Sequence, residues 1–315
     1  MLKSSSPDRV AGSGFFASVR LTLERGFERF VRQPKRARVW ASKRAPFQFR
    51  NCYGHKFVLY PPEYVDAHIF RHDIYEKRFL ELLKGRFPGT SVALDIGANI
   101  GNHAIYLAGS FGQIHAFEPN PVTLARLKAN LALNQLESVV KVHGVALGKE
   151  SGTFRFRENN DGNLGASGFL APGETVDALS RELELTVVNA DDYIAGLNLP
   201  RIEFVKIDVE GWEAPLLEGM TKTIAACRPV VSFEYHGQSA ADGNYERILA
   251  TLPGYIFVEA RYAPAEASLL KKIAWSFAHQ DKPVLARIDR PERRTYENII
   301  AFPDEATLES FGGTD

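Results

Sequence analysis

Four residues with chemistry to offer stand at the ends of two apolar runs: Asp208 and Glu210 follow Phe204 to Ile207, and Glu234 and His236 follow Pro229 to Phe233. Short, mainly apolar runs read as buried parallel strands, and open α/β sheets hold ligands at the carboxyl ends of such strands. Three carboxylates and one imidazole therefore converge on one crevice, and two chemistries suit them. A positioned base, His236 or a desolvated Asp208 with Glu210 in the adjoining loop, takes the proton from an attacking hydroxyl. Alternatively Asp208, Glu234 and His236 hold a divalent cation such as Mg²⁺, which acidifies the hydroxyl instead. The metal-free version is the reading adopted.

A second set lies upstream, in the stretch Ser91 to Pro119, SVALDIGANIGNHAIYLAGSFGQIHAFEP. Apolar Val92 to Leu94 stops at Asp95, Gly97 and Gly101 bracket a turn, and helical spacing follows at Ile105, Leu107 and Ala108. A further apolar run, Ile114 to Phe117, ends at Glu118, the interval a βαβ unit needs to return to the neighbouring strand. The two glycines let the backbone turn tightly beside a ligand, and the helix start offers free N–H donors. Glu118 can accept hydrogen bonds from the vicinal hydroxyls of a ribose, so a nucleoside ligand is implied. Dinucleotide sites usually read G-x-G-x-x-G, whereas here Asn99 takes the place of the second glycine and Asp95 stands two residues before the first. An acid there suits an ammonium or sulfonium better than a pyrophosphate, and S-adenosylmethionine carries both cations.

The segments DIGANIGNH, FEPNPVTLARLKANLALN, VALG at Val145 to Gly148 and KIDVEGWE at Lys206 to Glu213 occur in that order within Tyr75 to His236. Together they resemble the FkbM family of S-adenosylmethionine-dependent methyltransferases. The resemblance implies an α/β fold: a Rossmann-like class I methyltransferase sheet, mostly parallel with the last strand antiparallel, and helices on both faces. It also implies O-methylation of a hydroxyl on a carbohydrate, glycolipid or secondary metabolite, with catalytic roles at Asp208, Glu210 and His236. Its cofactor-binding set is Glu76, Asp95, Gly97, Asn99, Gly101, Asn102, Glu118, Asn120, Ala146 and Asp208. No acid ends the strand before Ala146, so adenine contact there falls to backbone atoms. Tyr75-Glu76 resembles a pair that precedes the nucleotide fold in the family, although a carboxylate early in a helix also satisfies the helix dipole. Asn189-Ala-Asp191-Asp192 resembles the family's Thr-Leu-Asp-Asp, and Asp191 is read as a helix cap. Two other classes compete: an NAD-dependent sugar-modifying enzyme, disfavoured by Asp95 and by the lack of a Tyr-x-x-x-Lys pair, and a nucleoside-binding scaffold without turnover.

The 315 residues carry zero formal net charge, which argues against a general nucleic-acid binder. The balance is uneven: residues 1–50 hold twelve Lys or Arg against three acids. Phe16, Val19, Leu23, Phe27 and Phe30 recur among those arginines at helical spacing, an amphipathic basic pattern that either packs on the main domain or meets an anionic membrane through residues 1–40. Cys52 and Cys227 are too few for a disulfide framework, and no run approaches a membrane span, so the expected location is the cytoplasm, with contact at the inner face of the membrane as the variant.

The expected organisation is a basic extension over 1–44, a hairpin and helix over 45–90, a methyltransferase domain over 91–305 and a tail over 306–315. Two insertions interrupt the domain, at 149–189 and 261–296. The alternation around Tyr53-Gly54 predicts the hairpin, and helices are expected over Tyr75 to Leu83 and from Pro121, the latter with Arg126 and Lys128 in solvent. Val139 to Val145 reads as the third strand, ending at Ala146. The Gly- and Asn-rich run 159–168 lies where a lid or acceptor loop would sit, and Tyr262, Trp275 and Phe277, with nearby Lys and Arg, suit a sugar or an acidic glycolipid head group.

Overall fold

Alternating apolar residues form strands β1 (Gln48–Cys52) and β2 (His55–Leu59), which pair antiparallel across Tyr53 and Gly54, both at positive φ. The computed structural model describes residues 48–235, 244–261, 283–289 and 296–313. His236, the basic segment 1–44 and Tyr262, Trp275 and Phe277 lie outside the described residues. The chain divides into two compact units, Lys35–Ala260 with Leu285–Asp315 and Met1–Pro34 with Arg261–Val284, and the fold below is that of the first.

After the hairpin come helices α1 (Tyr64–His72) and α2 (Lys77–Leu83). The helix expected from Tyr75 starts two residues later, because Glu76 takes the left-handed conformation at φ 53°. The main sheet runs β13 (Val284–Arg287), β12 (Ile256–Arg261), β14 (Tyr296–Phe302), β11 (Val230–Tyr235), β10 (Ile202–Ile207), β3 (Val92–Ile96), β4 (Gln113–Phe117), β5 (Val140–His143). The five strands from β11 to β5 are parallel, and β14 is antiparallel to both β11 and β12. This is the class I methyltransferase arrangement expected from the sequence.

Successive side chains of a strand face opposite sides, so each central strand feeds two cores. Ala93, Phe204, Val230 and Ile300 pack on one side with residues of α1, α2, α3 (Asn102–Leu107), α4 (Pro121–Asn134) and α9 (Glu305–Ser310). Leu94, Val205, Val231 and Ile299 pack on the other with α5 (Ala190–Gly196), α6 (Glu213–Glu218), α7 (Thr221–Cys227) and α8 (Asn244–Thr251).

Three expectations are corrected. The third strand ends at His143, and Ala146–Gly148 forms β6 of a separate sheet, ordered β6, β9 (Ser180–Asn189), β7 (Gly152–Asn159), β8 (Gly168–Phe169). The apolar run through Val145 to Leu147 hides this change of sheet in the sequence. Arg126 is not in solvent: its guanidinium pairs with the buried carboxylate of Asp66 on α1, which also accepts from the Tyr60 N–H at 2.6 Å. Spacing along α4 could not show that α1 would cover this face. Asp191 does not cap its own helix; Asn189 does, accepting from the Asp192 N–H at 2.9 Å. Asp191 instead caps α7, taking the N–H groups of Lys222 and Thr223 at 2.9 and 2.8 Å.

Between β4, β5 and α5, His115 Nδ1 and His143 Nε2 lie 2.9 Å apart, and His143 Nδ1 is 3.1 Å from the Tyr193 hydroxyl. Burial first, then His143 and Lys141, pushes His115 down to about 4, and burial lowers His143. Both rings fold as neutral species. An unfolded imidazole takes its proton near about 6.5, so stability from this pair is present above that value and lost as pH falls toward the folded value. His115→Gln is expected to flatten this part of the acid sensitivity. Urea unfolding of the parent and the variant should give stability curves that converge as the pH drops through this range; parallel curves would exclude His115 as the titrating group.

Candidate active site

Two loops at the carboxyl edge of the sheet define the site. The β3–α3 loop carries Gly97 at φ +83° and Asn99 at φ 50°, and it is held by Gly97 and Ala98 N–H groups donating to the Phe117 carbonyl at 3.0 Å each. A Cβ on Gly97 would stand 1.8 Å from the Asp208 carbonyl oxygen, so the two loops touch backbone to backbone there. The Asp208 N–H donates to Ile96 O at 3.0 Å, which locks the contact.

A cleft opens over these loops, lined by residues of β3, β4, the 149–189 hairpin and the loop after β10. Glu118 lies in its wall, fully buried, with Oε2 accepting from Asn99 N–H and Oε1 from Asn120 N–H, both at 2.9 Å. A carboxylate offers about four acceptor positions, so these bonds leave room for a ribose hydroxyl. Burial raises its pKa, and the Thr123 hydroxyl and the two N–H groups oppose the rise. Asn120 caps α4 through Oδ1, but its buried Nδ2 has no hydrogen-bond partner among the described residues. The opposite wall is apolar: Phe156 and Phe169 from the 149–189 hairpin, and Trp212, whose indole N–H donates to Leu147 O at 3.2 Å. Trp212 and Phe169 pack with ring centroids 4.7 Å apart. An acceptor carboxylate, an orphaned amide donor and an aromatic wall fit a nucleoside.

Of the sequence-derived set, Gly97, Asn99, Glu118, Asn120, Ala146, Asp208 and Glu210 line this cleft. Four others stand behind its wall. Asp95 is buried beneath the glycine loop, where it lines a second, small cavity with Phe79, His103 and Phe204. Neither of its oxygens has a hydrogen-bond partner; its neighbour is Lys206 Nζ at 3.6 Å, which in turn donates to Asp208 Oδ2 at 3.1 Å. Asp95 thus stands beside a buried lysine rather than at the cleft surface. Gly101 packs where a Cβ would meet Leu127 at 2.7 Å. Asn102 grips Tyr75, accepting from its N–H at 3.1 Å and donating to its carbonyl at 3.0 Å. Glu76 is held by His103 Nε2 and Asn298 Nδ2, each at 2.7 Å.

The second loop brings the carboxylates together: oxygens of Asp208, Glu210 and Glu234 all lie within 4.8 Å of one another. Burial first, then Asp208 and Glu213, pushes Glu210 up to about 8. Burial, followed by Asp208 and Glu210, raises Glu234 as well. For Lys206, burial works against the charge, but Asp208 and Asp95 outweigh it and hold the ammonium above its ordinary range. Glu210 itself sits at φ 51°, a left-handed conformation that costs a non-glycine residue energy and is common at functional loops.

The aromatic wall and the buried lysine were not read from the sequence. Lys206 precedes Asp208 by two residues inside an apolar run, which was the available signal; Phe156 and Phe169 had none beyond the location of their insertion.

Fold and site together give an α/β protein with a cleft shaped for a nucleoside and a cluster of carboxylates at one end of it. A profile of the FkbM methyltransferase domain matches residues 95–262, just over half of the chain, so the chain belongs to that family. Methyltransferase 1 of Beauveria bassiana is 30% identical over 150 residues, covering 42% of this chain and 60% of that protein. Hexuronic acid methyltransferase AglP of Haloferax volcanii is 28% identical over 156 residues, 50% of this chain and 61% of that one. The 31-O-demethyl-FK506 methyltransferase FkbM of Streptomyces tacrolimicus is 29% identical over 223 residues, 62% and 81% respectively. The chain thus spans about three fifths of the first two relatives. A crystal structure of Methyltransferase FkbM from Methylobacillus flagellatus aligns with TM-score 0.42 and 19% identity, over 69% of this chain and 44% of that one. Among the described residues, no helix is long and apolar enough to cross a membrane.

Proposed function

We propose that this chain is an S-adenosylmethionine-dependent O-methyltransferase whose acceptor is a hydroxyl of a carbohydrate, glycolipid or secondary metabolite, working in the cytoplasm. The observation that carries the reading is that Asp208 and Glu210 belong both to the nucleoside-shaped cleft and to the carboxylate cluster. The names of the relatives, a hexuronic acid methyltransferase and an FK506 O-demethyl methyltransferase, support the acceptor class. When bound, S-adenosylmethionine supplies an electrophilic methyl group beside a sulfonium. Glu118 and Asn120 hold the ribose end, and Phe169 and Trp212 cover the base.

On the acceptor side, Glu210 takes the proton of the attacking hydroxyl. Its raised acidity range brings it near neutral pH, where a general base works best. Asp208, paired with Lys206, orients the hydroxyl. Glu210→Gln is expected to lower turnover by about a hundredfold or more with little change in S-adenosylhomocysteine affinity. The readout is complementation of a deletion strain, scored by mass spectrometry for glycans or metabolites one methylene lighter. Full complementation by the variant would remove Glu210 from the chemistry.

The same three oxygens are spaced to accept a divalent cation, a reading favoured if EDTA abolishes activity and Mg²⁺ restores it. Calorimetric titration separates the cofactor alternatives. Heat with S-adenosylhomocysteine and none with NAD is the expected result; the reverse would overturn the proposal.

A further inference from the structure

Tyr75 lies within electrostatic reach of Asp208 and Glu234, Tyr64 and His68 pack against its ring, and none of the three lines the cofactor cleft. Tyr64 opens α1 and is 50% exposed, one of the few large apolar side chains left so open. Its N–H donates to Gly162 O at 2.9 Å, and the preceding Glu63 carboxylate accepts from Leu164 N–H at 2.7 Å. Leu164 and Gly165 line the cleft, so the start of α1 is stapled to the loop that closes it. One helical turn after Tyr64 comes His68 on the same face. Both rings stand edge-on to Tyr75, with centroids 6.3 Å and 5.3 Å away at 80° and 86°.

Tyr75 is fixed in this position from beneath. Asn102 and His103, consecutive residues at the start of α3, grip the consecutive residues Tyr75 and Glu76. The Glu76 carboxylate accepts from Asn298, whose Oδ1 accepts from Ser232 on β11 at 3.2 Å. Ser232 and Glu234 share one face of β11, two residues apart. Tyr75 itself interacts with Asp208 and Glu234, which joins the aromatic group to the carboxylate cluster.

Aromatic faces beside carboxylates are the surfaces that recognise a sugar: the ring's C–H face packs on the aromatic group, and its hydroxyls donate to the carboxylates. The charges refine the class. Burial and the neighbouring Asp208 already push protons onto Glu210 and Glu234, so a further carboxylate brought among these acids meets the same desolvation and the same repulsion. We propose that Tyr64, His68 and Tyr75, with Glu234, form the acceptor subsite, and that it takes an uncharged pyranose ring in preference to a uronic acid. This rests on the methyltransferase reading above.

The test uses the full chain saturated with S-adenosylhomocysteine and methyl glycosides of glucose, galactose, mannose and rhamnose, each against methyl glucuronoside, followed by saturation-transfer NMR titration. At least one neutral glycoside is expected to bind about fivefold or more tighter than the glucuronoside. Tyr64→Ala is expected to weaken that binding about fivefold to tenfold while S-adenosylhomocysteine affinity holds, and Tyr64→Phe to retain most of it. Tyr53→Ala, an exposed tyrosine elsewhere, serves as the unaffected control. Glucuronoside binding as tight as the best neutral sugar, no binding by any of the four, or indifference to Tyr64→Ala would each overturn the subsite. Failure of S-adenosylhomocysteine itself to bind would overturn the methyltransferase reading and the subsite with it, whereas the other failures leave that reading standing.

Discussion

Gly97→Ala is expected to cost about 3 kcal/mol or more of stability and, where the variant still folds, at least about a hundredfold in S-adenosylhomocysteine affinity. The added methyl would have to occupy a point 1.8 Å from the Asp208 carbonyl oxygen and 2.8 Å from its carbon. Both are backbone atoms, so no rotamer change can make room. The loop would have to retreat from β10, breaking the bond from Asp208 N–H to Ile96 O and carrying Asp208 and Glu210 away from the cleft. Gly211 supplies the internal comparison. It has a similar φ of +97°, but nothing lies within 4 Å of a Cβ placed there, so Gly211→Ala pays only the left-handed backbone cost of about 1–2 kcal/mol. Urea unfolding and calorimetry on both variants decide the matter. Equal losses at the two positions would mean that backbone conformation, not the close approach of the loops, governs the site.

Lys206→Met is expected to destabilise the fold by about 3–5 kcal/mol, because it leaves the buried Asp95 carboxylate without its counter-charge. Lys206 and Asp95 are 5% and 6% exposed at their side chains, and Asp95 has no hydrogen bonds to fall back on. The double variant Lys206→Met with Asp95→Asn removes the stranded charge and is expected to recover a large part of the loss, a non-additivity that a double-mutant cycle measures directly. A single-variant loss under about 1 kcal/mol, or strictly additive losses, would show that the pair is solvated and structurally idle. The cycle also separates two roles for Asp95. If Asp95→Asn weakens S-adenosylhomocysteine binding only as much as Lys206→Met does, its influence passes through the lysine.

The main sheet was legible because its strands are apolar runs that end on acids, and the runs at Val92, Ile114, Ile202 and Val230 all became parallel neighbours in the order a βαβ reading requires. Glu118, Gly97 and Asp208 could be found for the same reason: each terminates a strand, and strand ends share one edge. What stayed hidden was contact between distant elements. Nothing local says that Arg126 will be covered by Asp66, sixty residues earlier, or that Asn102 will clasp the backbone of Tyr75. The shift of Ala146 to a second sheet was hidden for a different reason: only His143 and Gly144 separate the apolar residues of β5 from Val145 to Leu147, a break too short to mark a new strand. Asp95 shows the limit of motif reasoning: it marks the loop that borders the cleft, while its own side chain lies beside Lys206 in the second cavity.

The hairpin that walls the cleft leaves and rejoins the chain at almost one point. Gly148 and Asn189 are partners in the parallel pairing of β6 with β9, Asn189 Nδ2 donates to Lys149 O at 2.7 Å, and Asn189 N–H donates to Ser151 Oγ at 2.9 Å. Because the segment closes at its own base, a change of length within it leaves the re-entry of the chain at α5 where it is; what such a change disturbs is the tip's hold on the start of α1.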